Sequence, residues 1–145
     1  MLKKFARTMA YIGGIVTGFY LFAGAPGIHK KKKWQHLTGW DYAHRGLYDN
    51  EHGIPENSMA AFRRAVDKGY GIELDVHLTA DNQLVVFHDD TLTRMCGMNK
   101  KISSFLYSDL MQLRLLGTEE GIPLFKDVLE LIDGKVPLII ELKVD

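Results

Sequence analysis

The sequence predicts an α/β fold in which a parallel sheet is covered by helices, and three features carry that reading. From Gly39 onward, short apolar runs alternate with segments of helical periodicity. Residues 71–79 place Ile72, Leu74, Val76 and Leu78 on one strand face and Glu73, Asp75 and His77 on the other, because successive side chains of a strand point to opposite sides. In each expected strand the reactive residues gather at or just beyond the C-terminal end. In parallel α/β architectures those ends share one rim, where active sites form.

Residues 1–38 form a first domain of different character. Residues 8–28 carry no charge and include Tyr11, Ile12, Ile15, Val16, Phe19, Tyr20, Leu21 and Phe22; as a helix they would reach roughly 30 Å, about one hydrocarbon core. Pro26 directly after Ala23-Gly24-Ala25 is a poor context for signal-peptidase cleavage, and the following Lys30-Lys31-Lys32-Lys33 would hinder translocation. The segment reads as an uncleaved, single-pass membrane anchor. The lysine run is denser than Lys3, Lys4 and Arg7 before the segment, which puts the C-terminal part in the cytoplasm.

In residues 39–145 the elements follow in order. A first strand is expected over 40–43 and ends at His44 and Arg45. A helix over 58–68 turns Met59, Phe62, Ala65 and Val66 to one face, with Asn57 or Ser58 as its cap. Gly71–Leu78 is the second strand, Ala80-Asp81-Asn82 a turn, and 84–87 a third strand that runs into His88 and Asp89. Helices follow over 108–116 and 125–132, and a fourth strand over 137–142 carries Glu141, with Lys143 just beyond. With 18 basic and 18 acidic residues the 145-residue chain has zero formal net charge, so no basic field points to nucleic acid. Cys96 is the single cysteine, which excludes an intrachain disulfide.

Glu73 and Asp75 lie about 7 Å apart along one strand face. Two such carboxylates repel unless a cation sits between them, and a hard divalent metal held by carboxylate oxygens is the common solution. His44-Arg45-Gly46, Pro55-Glu56-Asn57-Ser58 with Ala61-Phe62, Glu73-Leu74-Asp75-Val76, His88-Asp89 and Glu141-Leu142-Lys143 together resemble, in order and spacing, the glycerophosphodiester phosphodiesterase family. The resemblance implies a TIM-type (β/α)8 barrel and metal-dependent hydrolysis of glycerophosphodiesters to glycerol 3-phosphate and an alcohol. Residue by residue, it implies Glu73, Asp75 and Glu141 as ligands of Ca²⁺ or Mg²⁺, His44 and His88 as an acid–base pair, and Arg45 and Lys143 facing the phosphate. Glu56 and Asn57 are expected to brace the site from behind. His77 receives no role, and His29, His36 and His52 read as solvated. Cys96 and Met98 read as packing residues.

A TIM barrel takes about 250 residues and eight strands, so residues 39–145 are expected to supply its first half. The open sheet edges of a half-barrel favour self-association. Two other readings compete with the hydrolase: a phospholipase of the same barrel type, either a phosphatidylinositol phospholipase C or a lysophospholipase D, and a non-catalytic membrane-tethered binding module.

Overall fold

The computed structural model describes residues 35–143. Among them no helix is long and apolar enough to cross a membrane; the anchor expected over 8–28, with its basic flanks, lies outside the described residues. Gln35–Leu37 is a single 3-10 turn of the unit Met1–Thr38. Everything that follows belongs to the unit Gly39–Asp145.

The sheet is organised around β2 (Gly71–Leu78), whose apolar alternation sets one face against the helices. β1 (Tyr42–His44) runs parallel to its first half with His44 level with Glu73. β4 (Leu138–Leu142) runs parallel along the opposite edge with Glu141 level with Asp75. β3 (Leu84–Val86) takes the edge that β1 has left and is antiparallel to β2, with Val86 opposite Val76. The expected all-parallel sheet is therefore corrected at β3. Only residues 79–83 separate β3 from β2, whereas a parallel crossover takes a dozen or more residues. Asn82 in the left-handed region, φ 58°, closes the hairpin.

Helix α1 (Met59–Asp67) begins where the Ser58 hydroxyl accepts a hydrogen bond from the Ala61 amide at 3.1 Å, so Ser58 is the cap. Its buried residues Ala61, Phe62 and Ala65, with Val128 and Ile132 of the helix Phe125–Ile132, cover one sheet face. The core between them contains Ala43, Ile72, Leu74, Val76 and Val86. Val85 and Phe87 point the other way and join Leu92, Met95, Ile102, Leu110, Leu115 and Ile122 in a second core. Cys96 and Met98 pack against it, and burial pushes the Cys96 thiol up to about 11, which fits a packing role.

In chain order the helices are α1, α2 (Thr93–Cys96), α3 (Tyr107–Leu110) and α4 (Phe125–Ile132). The helix expected over 108–116 stops early: Arg114 is extended and Leu116 and Gly117 have φ of 51° and 72°, which no α-helix tolerates. Its apolar residues Leu110 and Leu115 instead reach the second core from two separate turns.

Candidate active site

Register on β2 assembles the acidic cluster. Glu73 and Asp75 lie two apart on one face, and parallel pairing sets Glu141 beside Asp75. One ligand oxygen from each of the three lies within 4.8 Å of the others. Asp75 is 1% exposed, Glu73 half-buried and Glu141 exposed. The carboxylates are partly neutralised from within: Lys143 Nζ lies 3.1 Å from Asp75 Oδ1 and 2.6 Å from Glu141 Oε1, and Arg45 Nε lies 3.7 Å from Asp75 Oδ2. Burial works against the Lys143 charge, yet its hydrogen bonds to Glu141 and Asp75 win and raise its pKa. The Asn57 amide donates to Asp75 Oδ2 at 3.2 Å, while its own Oδ1 is buried without a hydrogen-bond partner. A donor set made of carboxylate oxygens with a spare amide oxygen beside it fits a hard divalent cation.

A tight turn after β1 holds His44 and Arg45 at the same level. The Arg45 amide donates to Glu73 O at 2.8 Å and the Asn57 amide to Arg45 O at 2.9 Å, which ties this turn to β2 and to the start of α1. Both Arg45 and Asn57 have left-handed backbones, φ 59° and 54°. Gly46 follows at φ 81° against α1, where a Cβ would come within 2.9 Å of Ala61 Cβ. The His44 side chain is 65% exposed, with Nε2 3.8 Å from Glu73 Oε2. Arg45 Nη1 donates to Glu56 Oε1 at 2.9 Å, so the buried Glu56 orients the guanidinium, and the Arg45 Nε–H is a buried donor without an acceptor in hydrogen-bond range.

His88 arrives by a different route from the one expected. The hairpin brings the chain back beside β2, where the Phe87 amide donates to Asp75 O at 3.0 Å. The next residue is His88, whose Nδ1 lies 2.7 Å from Asp89 Oδ1. Hydrogen bonds from Arg94 and then His88 outweigh burial and hold the Asp89 carboxyl down at about 2. An ionised carboxylate only accepts, so Nδ1 is the donor in this contact, which leaves Nε2 as the ring nitrogen free to exchange a proton. Behind it, Arg94 reaches both Asp89 and Glu56. Burial opposes ionisation of Glu56, but the bonds from Arg94 and Arg45 prevail and lower its pKa.

All the residues anticipated for the site thus join through contacts, from His44 through Glu73, Asp75, Lys143 and Glu141, and from Arg45 through Glu56 to the His88 arm. His77 is buried, with Nε2 3.3 Å from His88 O, and so packs behind the main chain of the site. His36 is exposed, as is His52, which lies 2.8 Å from Asp49. Arg94 is the residue that sequence reasoning misses. Its signal, Thr91-Leu92-Thr93-Arg94, has no periodicity and lies in a polar stretch after β3.

Residues 44–145 match the glycerophosphoryl diester phosphodiesterase family. A lysophospholipase D from Rattus norvegicus is 34% identical over 151 residues, an alignment that covers 94% of this chain and 46% of the relative. A glycerophosphodiester phosphodiesterase from Bacillus altitudinis is 38% identical over 109 residues, covering 70% of this chain and 43% of the relative. Among solved structures, an Oleispira antarctica phosphodiesterase in complex with the product sn-glycerol-3-phosphate has a TM-score of 0.65 at 31% identity, over 74% of this chain and 45% of that one. The chain spans less than half the length of each of these relatives.

Proposed function

The chain belongs to the glycerophosphoryl diester phosphodiesterase family, and from that membership we propose that it serves the metal-dependent hydrolysis of glycerophosphodiesters to glycerol 3-phosphate and an alcohol. The observation that carries this reading is the convergence of Glu73, Asp75 and Glu141 within 4.8 Å beside two cationic side chains. In it the described sheet is the first part of a (β/α)8 barrel, and the three carboxylates hold Ca²⁺ or Mg²⁺. When bound, such an ion supplies Lewis-acid polarisation of a phosphoryl oxygen and lowers the pKa of an attacking hydroxyl or water. The chain's own side chains do the rest. Arg45 and Lys143 offset the phosphate charge, and Glu56 and Asn57 keep Arg45 and Asp75 in place. His88 exchanges a proton at Nε2, and His44, open to solvent beside Glu73, is its partner; between them they deprotonate the attacking oxygen and protonate the leaving alcohol.

One observation favours a lysophospholipase D variant of this chemistry. The rat lysophospholipase D aligns over 94% of the chain, so the match reaches into residues before Gly39, whereas the bacterial phosphodiesterase aligns over 70%. That reach includes apolar residues of 8–28, which in this reading anchor the protein to a membrane with residues 39–145 on its cytoplasmic side.

The test pairs Mg²⁺ and Ca²⁺ titration calorimetry with turnover of glycerophosphocholine and of micellar lysophosphatidylcholine. Asp75→Asn is expected to lower metal affinity and turnover together, by at least the roughly 10- to 100-fold that loss of an outer-shell partner costs. Full activity of this variant after chelation sinks the assignment. Metal binding with no turnover of either substrate favours the binding-module reading, and the ratio of the two rates separates the two enzymes.

A further inference from the structure

We propose that Arg94 is a positioning residue for His88: its guanidinium, braced on Glu56, clamps the Asp89 carboxylate so that His88 is held as the Nδ1–H tautomer with Nε2 facing the reaction. The geometry is that of a planar fork filled on two sides. Arg94 Nε and Nη2 donate to Asp89 Oδ2 and Oδ1 at 2.8 and 2.9 Å, while Nη1 and Nη2 donate to Glu56 Oε2 and Oε1 at 2.9 and 2.7 Å. Two bidentate pairs leave the guanidinium a single orientation. Asp89 Oδ1 is shared between Arg94 and His88 Nδ1, so the arginine sets the direction from which the carboxylate meets the ring. Glu56 Oε1 is likewise shared with Arg45, which ties the same fork to the phosphate-facing side.

The backbone keeps the fork in place. Arg94 sits on α2 between Leu92 and Met95, both buried in the second core, and the Leu92 amide is held by Lys100 O at 3.0 Å. A lysine at position 94 would bring the charge without the fork and so could not grip both carboxylates in one plane. The chain contains its own comparison. His52 Nδ1 lies 2.8 Å from Asp49 Oδ1, nearly the same pair distance, but this pair faces solvent with no arginine hydrogen bond to Asp49 among the described residues.

The consequence for turnover rests on the proposed hydrolysis, but the tautomer does not, so two readouts separate them. ¹⁵N-histidine spectra of the full chain in detergent, at about pH 8 where a histidine of ordinary pKa is neutral, report which ring nitrogen of His88 carries the proton, with the signal assigned by its loss in His88→Gln. Wild type is expected to show His88 mainly as Nδ1–H, with His52 more mixed. Arg94→Gln and Arg94→Lys are both expected to lower the Nδ1–H fraction of His88 and leave that of His52 unchanged. A predominantly Nε2–H His88 in wild type overturns the proposal without any variant, even if Arg94→Gln fails to fold. Retention of the wild-type spectrum by Arg94→Lys also overturns it, since charge alone would then suffice. In turnover of glycerophosphocholine with Mg²⁺, both variants should lose about 10- to 100-fold in kcat. Absent turnover in wild type overturns the hydrolase reading alone.

Discussion

Replacing Gly46 by alanine tests how tightly the turn that carries His44 and Arg45 is pressed onto α1. The cost has two parts, and the structure separates them. Gly46 has φ 81°, where an L-residue loses about 1–2 kcal/mol, offset in part by about 0.4–1 kcal/mol from a stiffer unfolded chain. The new Cβ would also lie 2.9 Å from Ala61 Cβ, 3.0 Å from the Ala61 carbonyl carbon and 3.0 Å from Phe62 Cδ1. Ala61 and Phe62 are fully buried, so neither can yield toward solvent, and overpacking of this kind costs about 1–3 kcal/mol. Gly53 provides the control, since its φ is 78° but nothing lies within 4 Å of the point a Cβ would occupy. Gly53→Ala should therefore cost about 1 kcal/mol or less and Gly46→Ala about 2–4 kcal/mol. Urea unfolding of the two variants against wild type measures the difference. Equal costs, within about 0.5 kcal/mol, would show that the turn does not press on α1 and that the close approach is not what selects glycine here.

Three further outcomes follow from the same geometry. Ser58→Ala removes the hydroxyl that caps α1 and should destabilise the chain by about 1 kcal/mol in the same urea assay, with no loss of metal binding. Asp89 has its pKa lowered from 3.8 to about 2, so its contribution is complete above its unfolded pKa and fades as pH falls toward 2; from about pH 5 to pH 2, wild type should lose on the order of 2 kcal/mol more than Asp89→Asn, read from unfolding at several pH values. Deleting residues 1–38 should move the protein from the membrane to the soluble fraction and leave Mg²⁺ binding intact, because every proposed ligand lies beyond that segment; full-length protein found wholly soluble would contradict the anchor.

Legibility in the sequence follows the strength of periodic signals. β2 and α4 appear with the limits expected, because an eight-residue alternation ending in a polar turn and an amphipathic helix before Gly134 leave little freedom. The helix expected over 108–116 is too long because Leu110 and Leu113, three apart, imitate the start of a helical stripe, and nothing in residue type announces a left-handed Leu116. The antiparallel direction of β3 runs against the parallel sheet expected from the sequence, although chain length carries the signal: a turn at Ala80-Asp81-Asn82 so soon before the next apolar run permits only a hairpin. The acidic cluster and both histidines can be read from strand ends and motif order. Arg94 cannot, since its role arises from a fork between Asp89 and Glu56, 38 residues apart in sequence from the latter, and no spacing rule reaches that far.

The antiparallel β3 also explains how the site closes. β2 continues for three residues past Asp75, roughly 10 Å at strand rise, so a parallel third strand would have needed a separate crossover to deliver a histidine at this level. The hairpin retraces that length: Leu84 pairs with Leu78, Val86 with Val76, and the Phe87 amide bonds to Asp75 O. His88 therefore returns to the height of Asp75 with little chain spent. On the other edge, the parallel register that sets Glu141 beside Asp75 also sets Lys143 just beyond it, with the Lys143 amide donating to Val76 O at 3.0 Å. A slip of one residue on either side would turn Glu141 to the wrong face or lift His88 out of reach. The apolar face of β2, packed on Phe62 and Val128, resists such slips, so the core that stabilises the sheet also holds the reactive groups in register.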